Sequence, residues 1–390
     1  MSVSQRGVVP PETETQEVPP EISSGALQTE QMVLNVGPQH PATHGVFRLL
    51  ATIDGEQLVD AEPIIGYMHR GYEKLVEQRD YRQITNLVSR MDWLSGINNE
   101  LPLALAVERL MEIEVPPRAQ YLRVAMCEMN RILNHLMFFA SFGAELGAIT
   151  PTFYAFRERE DIQYTLESAT GGRMHFGFFR PGGLKEDVPK GFFASALKGV
   201  RQVIERLPDY ENLLVGNEIF KQRTVGVGTL EKEVAYSYGV SGPIARGSDI
   251  TFDVRKDEPY SSYDHFDFEV QSAPNGDCFD RFWVLVHEVV ESAKIVEQAI
   301  EGMPSGAIMG KVPRVIQLPV GEVYARCENS LGELGMYLIS DGGRRPYRLK
   351  IRTPSYNNVS ALQHVLKGSY VADMIAILGS FFFVLGDIDR

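Results

Sequence analysis

Apolar and polar residues alternate at Phe47, Leu49, Ala51 and Ile53, and the chain returns after Asp54-Gly55 through Leu58 to Ile64. A period of two beside an Asp-Gly pair predicts a β-hairpin, so the ordered chain opens as a small sheet. The period then lengthens. Over residues 118–147, Leu122, Met126, Met129, Leu133, Leu136 and Ala140 share one stripe. That spacing predicts a long helix, preceded by Pro116-Pro117 and ended at Gly147, with Glu128, Arg131 and His135 on its polar side. A short charged helix is expected at 157–168, closed by Gly171-Gly172. Another is expected at 190–206, with Leu197, Val200, Ile204 and Leu207 inward. Asp277 is placed to cap a long helix to about Ile300, whose inward stripe is Phe282, Val286, Val289, Ala293, Val296 and Ile300. "ELGMYLISDGGRRPYRLKIR" predicts a second hairpin turning at Ser340–Gly343, followed by two helices at about 359–367 and 370–385.

The resulting fold class is α+β and helix-rich: a long-helix bundle core with small antiparallel sheets at its N- and C-terminal parts. Residues 1–30 are expected to be a disordered, acidic, Pro-rich tail, 31–66 a hairpin region, and 67–310 the helical core. Residues 311–390 form a C-terminal hairpin plus helices packed as one domain with that core. There is no internal repeat and no phosphate loop, because "GVGTL" and "GPIARG" lack the spacing of a dinucleotide fingerprint.

Composition narrows the possibilities. The 390 residues are 44% apolar and 23% charged, which suits a globular chain with a real core. A net charge of −13 argues against nucleic acid, whose phosphates need clustered Lys and Arg. Three scattered cysteines with no C-x-x-C exclude a local zinc or iron–sulfur site built from cysteine pairs and point to a reducing compartment. The first thirty residues have neither the basic start and apolar block of a signal peptide nor the arginines of a transit peptide. "MIAILGSFFFVLG" is shorter than a bilayer span and is expected to be a buried helix.

Five stretches could carry chemistry. In "NVGPQHPATHGVFRLL", Pro38 and Pro41 stiffen a turn that bears His40 and His44. Imidazole is suited to proton exchange near neutral pH, but one such His could equally satisfy backbone carbonyls. "IIGYMHRGYEKLVEQRDY" packs His69, Arg70, Glu73 and Lys74 together, most simply as a solvated face. "VSRMDWLSGINNE" sets Arg90 and Asp92 beside Trp93, most simply as a structural ion pair. Glu145 stands among Gly and Ala, either in water at a helix end or in a pocket. "ATGGRMHFGFFRPGG" gathers Arg173, His175 and Arg180 on a Gly-rich loop, suited to an electron-rich centre or simply exposed. These residues alone do not reach a reaction.

Longer matches do. "NVGPQHPATHGVFRL", "GYMHRGYEK", "SRMDWLSGINNE", "TPTFYAFRERE", "ATGGRMHFGFFRPGG", "GELGMYLISDGGRRPYRLKIRTPSYNN" and "GDIDR" occur in order from about residue 31 to 390. Together they resemble the 49-kDa-type, or D-type, subunits of proton-pumping NADH:quinone oxidoreductase, respiratory complex I. The resemblance implies a fold like the large subunit of nickel–iron hydrogenases. Without that enzyme's two C-x-x-C pairs, no nickel–iron site is expected. It also implies a quinone pocket shared with the neighbouring B-type subunit, which holds the terminal [4Fe–4S] cluster. The FMN and the Fe–S clusters would be on partner subunits, with no metal or flavin held by this chain. The C-type subunit and the membrane-arm quinone-channel subunit would be further neighbours, at the cytoplasmic face of a bacterial membrane.

By motif, His44 matches the histidine that hydrogen-bonds the quinone head group, with His40 on the same turn. Glu145 matches an acidic position thought to hold that histidine's charge. Arg90 and His175 match residues beside the terminal cluster, and Arg70 one in the same region. Trp93 stands where the family has a tyrosine opposite the histidine; indole donates a hydrogen bond but is no proton source. Phe178 replaces a common Tyr, Phe382 and Phe383 replace a usual Asp-Pro pair, and a few tens of residues are missing between about Gly302 and Pro319. The resemblance is therefore to a divergent member or second paralogue. One implied function is quinone reduction coupled to proton transport; the other is a structural or assembly role in a partial complex.

Overall fold

The computed structural model of the chain describes residues 30–40 and 45–390. The N-terminal part is a three-stranded antiparallel sheet in the order β1-β4-β5, made of β1 (Gln31–Val36), β4 (Arg48–Asp54) and β5 (Gln57–Ile64). Between β1 and β4 the chain makes a two-residue ladder, β2 (Gln39–His40) with β3 (Gly45–Val46). Phe47, Leu49, Ala51 and Ile53 face inward and are buried, as their alternation predicts. Strand β1 has no comparable signal, because Met32 and Val33 are exposed.

Helices α1 (Tyr72–Val76) and α2 (Tyr81–Val88) lead into α3 (Gly96–Met111), α4 (Pro117–Glu145) and α5 (Thr150–Thr170). A small ladder of β6 (Phe179–Arg180) and β7 (Gly183–Leu184) precedes α6 (Phe192–Tyr210). Four short helices follow: α7 (Glu218–Thr224), α8 (Lys232–Tyr238), α9 (Gly242–Arg246) and α10 (Val254–Asp257). The long α11 (Cys278–Glu301) starts at Asp277, whose side chain accepts from the Asp280 N–H at 2.8 Å, as expected of its cap. Helix α3 gave no periodic signal because it is buried nearly all round. Helix α5 begins at Thr150-Pro151, seven residues before the charged stretch that announced it.

The second sheet has the order β10-β9-β8, with β8 (Val320–Asn329), β9 (Gly332–Asp341) and β10 (Arg348–Arg352). The predicted β9–β10 hairpin is present, with Arg348 opposite Ile339. Four helices close the chain: α12 (Pro354–Ser360), α13 (Leu362–Leu366), α14 (Met374–Ser380) and α15 (Leu385–Asp389). The single helix expected over 370–385 therefore breaks after Ser380. Three successive rings are buried in different places there. Phe381 lies under the Arg281 guanidinium, Phe382 against Phe138 and Phe142, and Phe383 against Phe47. A continued helix would step each ring by 100°, so Phe382 instead takes φ +46°.

Helix α4 differs most from its pattern. From Leu122 to Ala140 every residue but Met137 is buried, so the expected polar side has no water on it. Glu128, Arg131 and His135 enter a buried ion network instead. Arg131 and Arg255 both reach Glu128 Oε2, at 3.1 and 3.0 Å, and Tyr263 and Ser292 donate to the same carboxylate. Arg246 bridges Glu288 and Glu328, Arg255 pairs with Asp253, and His135 Nε2 faces Glu288 at 2.9 Å. A period-3.6 pattern cannot tell a solvated polar face from one that meets its counter-charges inside.

Candidate functional site

His44 lies outside the described residues, but the frame of its turn is described. His40 pairs with Gly45 across the β2–β3 ladder, and His40 is exposed at its mouth. Gly45 has φ +128°, and a Cβ there would stand 3.0 Å from Leu385 Cδ1. Two residues on, the buried Phe47 ring lies 5.1 Å from that of Phe383. The chain that leaves the turn, from Gly45 to Phe47, therefore stands on residues 383–385.

Glu145 ends α4 and is half-buried. Its carboxylate lies directly against the backbone of Gly379, where any Cβ would collide with Oε2. One turn back, Phe142 packs on Phe382.

The third piece is the turn from Arg90 to Ser95. Its backbone is held by amides of the core helices. Asn99 donates to the Asp92 carbonyl at 2.8 Å, Asn130 to the Leu94 carbonyl at 2.7 Å, and Asn134 to Ser95 Oγ at 2.9 Å. Trp93 is left 38% exposed, while Asp92 is fully buried beneath it. Asp92 makes no pair with Arg90, contrary to the ion-pair expectation. Its Oδ1 accepts from the Leu94 N–H at 3.0 Å, and Arg90 donates to the Asn86 carbonyl. Gly386 rests on the Met91 carbonyl, which a Cβ would approach to 2.5 Å.

His175 joins this turn from the Gly-rich loop. Its Nδ1 is 3.2 Å from the Ser89 carbonyl, and burial and the Arg90 charge both push the imidazole below its usual range. The loop is anchored from within by Glu100, whose carboxylate accepts the N–H groups of Gly177, Phe178 and Phe179 at 2.7–2.9 Å. Burial still pushes Glu100 up to about 7 against those three bonds. Arg173 is an exposed partner of Glu160 and Glu167, so the loop's three cations do not converge on one centre.

Arg70 belongs to a neighbouring clasp. Its guanidinium lies over the Tyr72 ring, and its N–H donates to the Arg390 carbonyl at 3.2 Å. His69 Nδ1 is 2.7 Å from the Asp389 carbonyl, and the Asp389 carboxylate accepts from Gly66 and Met68 at 2.7 and 2.6 Å. The terminal motif thus holds residues 66–70 and, through Gly386, the Trp93 turn. Exposed Ile65, Tyr67, Met68, Trp93 and Met174 lie in these turns.

A roomier cavity of about 550 Å3, lined by Glu108, Arg109, Glu112, Glu114, Gln120 and Arg123, lies at the far end of α3. It is ~18 Å along the helix from Gly96 at 1.5 Å per residue, and none of the candidate residues reaches it. Among the described residues no group of three His, Cys, Asp or Glu could hold a metal ion, and the three cysteines are free and buried.

Comparison with known proteins settles the family. The profile described as "Respiratory-chain NADH dehydrogenase, 49 Kd subunit" matches residues 145–390. The chain belongs to that family. Among the family's curated members, the D-type NADH-quinone oxidoreductase subunit numbered 2 of Salinispora tropica is 54% identical over 92% of this chain and 93% of its own length. The D-type subunit numbered 1 of Streptomyces coelicolor is 51% identical over 94% of this chain and 97% of its own. The D-type subunit of Geobacillus kaustophilus is 50% identical over 93% and 99%. This 49 kDa-family chain is accordingly a subunit of an NADH-quinone oxidoreductase complex. Among its described residues no helix is long and apolar enough to cross a membrane.

The family matches were legible in the motifs, but two residues were not singled out. Both are buried acids: Glu100 anchors the Gly-rich loop, and Asp387 accepts from the Ser355 N–H. An acid inside the apolar run "FFFVLGDID" is a signal that a sequence can give.

Proposed function

We propose that this chain forms one wall of the quinone head-group site of its complex, facing the subunit that carries the terminal [4Fe–4S] cluster. One observation carries the reading. Gly45 and Phe47 just after the His turn, Glu145 and the Trp93 turn, far apart in sequence, are all seated on residues 379–386. Quinone reduction takes up two electrons and two protons. The electrons come from NADH through clusters on partner subunits, and a cluster supplies no protons, so residues of the pocket must.

In this reading His44 donates to one quinone carbonyl, His40 shares its turn, and Glu145 holds the charge of that imidazole. Trp93 faces the other carbonyl and donates a hydrogen bond without a proton to give. Arg90 and His175 lie toward the cluster, where charge and hydrogen bonds raise its potential, with Arg70 in the adjoining clasp. The exposed apolar residues of this face meet the B-type subunit, with the C-type subunit and the quinone-channel subunit of the membrane arm as further neighbours. The complex would lie at the cytoplasmic face of the bacterial membrane and couple the reaction to proton transport.

A second reading is an assembly paralogue with little quinone chemistry, favoured by Trp93 in place of a tyrosine. Quinone reductase activity of the assembled complex separates the two. His44→Ala is expected to lower turnover by ~10²-fold or more, the scale of a lost general acid. Trp93→Tyr is expected to keep or raise it. Unchanged turnover and quinone affinity with His44→Ala would remove the site assignment and leave the assembly reading.

A further inference from the structure

Next to Trp93, two carboxyls are buried on either side of one backbone contact, and neither is paired with a cation among the described residues. Asp92 and Asp387 are both fully buried. The residues just before them touch, with Gly386 resting on the Met91 carbonyl. Each carboxyl uses one oxygen to fix its own surroundings. Asp92 Oδ1 accepts from the Leu94 N–H and Asp387 Oδ2 from the Ser355 N–H, both at 3.0 Å. The other oxygen of each, Asp92 Oδ2 and Asp387 Oδ1, is buried with no hydrogen-bond partner. Buried carboxylates without partners are costly, and one proton shared between two such oxygens satisfies both.

The surrounding charges do not neutralise the pair. Arg390 donates to the Ile351 carbonyl and lies over the Tyr356 ring. Arg352 donates to the carbonyls of Glu333 and Gly239. Arg90 donates to Asn86, and Asp389 is occupied by Gly66 and Met68. From α3 and α4 the amides of Asn99, Asn130 and Asn134 face the turn. Burial and Asp387 push Asp92 up to about 7 against hydrogen bonds from Ser95 and Leu94, and burial pushes Asp387 up to about 6, with Ser355, Arg390 and Arg352 opposing.

We propose that Asp92 and Asp387 share one proton and so latch the terminal helix onto the Trp93 turn, acting as positioning residues for Trp93. This rests on the quinone reading for what Trp93 does, and on the buried pair alone for the latch. When the shared proton leaves, two buried anions face each other and the joint opens. Trp93 then loses its seat, which weakens quinone binding before it slows chemistry.

The test uses the assembled complex. The quinone KM of the wild type is expected to rise about tenfold between about pH 7 and about pH 9, the factor carried by one pKa unit. Asp387→Asn, whose amide can donate to an ionised Asp92, is expected to abolish that rise; a merely damaging substitution would not make KM less sensitive to pH. Asp92→Asn serves if Asp387→Asn does not assemble. Amide exchange of residues 385–390 in the wild type, corrected for intrinsic rates, is expected to lose protection over the same interval. A flat wild-type KM, a rise that persists in the variant, or unchanged protection would overturn the latch. Because exchange does not depend on quinone, unchanged protection alongside a crippling His44→Ala would remove the latch alone. An inert His44→Ala with pH-sensitive protection would remove the quinone reading and keep the latch.

Discussion

The ion network between α4 and α11 and the joint between Asp92 and Asp387 both bury carboxyls, and they balance them in opposite ways. The network sets Glu128, Asp253, Glu288 and Glu328 against the guanidiniums of Arg131, Arg246 and Arg255. Burial pushes Glu128 up, but Arg131, Arg255, Tyr263 and Ser292 outweigh it and hold the carboxyl at about 2. Glu288 is likewise held at about 2 against burial, by Arg246 and His135. Glu328 is pushed up by burial and by Asp253, with Arg246, Arg255 and Arg131 opposing. Burial pushes His135 down, so the imidazole stays neutral. The joint has no guanidinium in contact, and its balancing proton is held by acids that titrate near neutrality. Glu128 and Glu288 therefore stay ionised across physiological pH, whereas the carboxyls of the joint titrate near it.

The largest effect expected from this contrast comes from removing one network cation. Arg131→Met strands Glu128 beside one remaining guanidinium and leaves the carbonyls of Glu328 and Asn329 without their donor. Breaking a buried charge pair from one side costs about 3–5 kcal/mol. That is enough to deplete the chain from the complex, measured as its abundance and resistance to proteolysis. A variant as stable as the wild type would mean that the network is dispensable packing.

The joint gives a smaller effect with the opposite pH dependence. Asp92 is at about 7 when folded, against 3.8 as an ordinary carboxyl. The folded state holds this proton more tightly, so the contribution is fully present below 3.8 and is lost as pH climbs through about 7. For Glu128 and Glu288 the sign reverses: the contribution is present above 4.5 and is lost as pH falls toward about 2. Asp92→Asn should therefore gain stability relative to the wild type as pH rises toward neutrality, by ~1 kcal/mol or more. Proteolysis of this chain within the complex across pH reads the difference. A gap between variant and wild type that does not change with pH would erase the distinction between the two regions.

Why one region was legible and the other was not follows from how each is encoded. The first hairpin, α4, α11 and the β9–β10 hairpin declared themselves through a periodic face and a turn or cap. Helix α3 and the polar core of α4 did not, because burial on all sides removes the contrast that periodicity needs. Arg131 and Glu128 read as a polar side because the partners that bury them come from more than a hundred positions away: Arg255 and Tyr263 on Glu128, and the carbonyls of Glu328 and Asn329 on Arg131. Family motifs located the turn of His40 and His44, Glu145, Trp93, Arg90 and His175. They gave no hint that residues 379–387 seat the turns, since that depends on the break after Ser380. That break is set by where the rings of Phe381, Phe382 and Phe383 are buried, a property of the assembled core.

The smallest expected effect lies at the rim, where the contrast between fixed and titrating charge fades into water. His175 is half-buried, and after burial itself the Arg90 charge is what holds its imidazole down. Arg90 is exposed, so its influence on His175 crosses solvent and should weaken with salt. Arg90→Gln is expected to raise the His175 pKa and leave the fold intact, because the side-chain hydrogen bond of Arg90 among the described residues goes to the nearby Asn86 carbonyl. If His175 lies toward the cluster, as proposed, the pH at which the terminal cluster's potential changes should move upward in the variant. The displacement should shrink as ionic strength rises from about 0.01 to about 1 M, over which the screening length falls from about 30 to about 3 Å. A displacement indifferent to salt would mean that Arg90 acts through contact rather than charge. The rim would then share the rigidity of the buried network instead of the responsiveness of the joint.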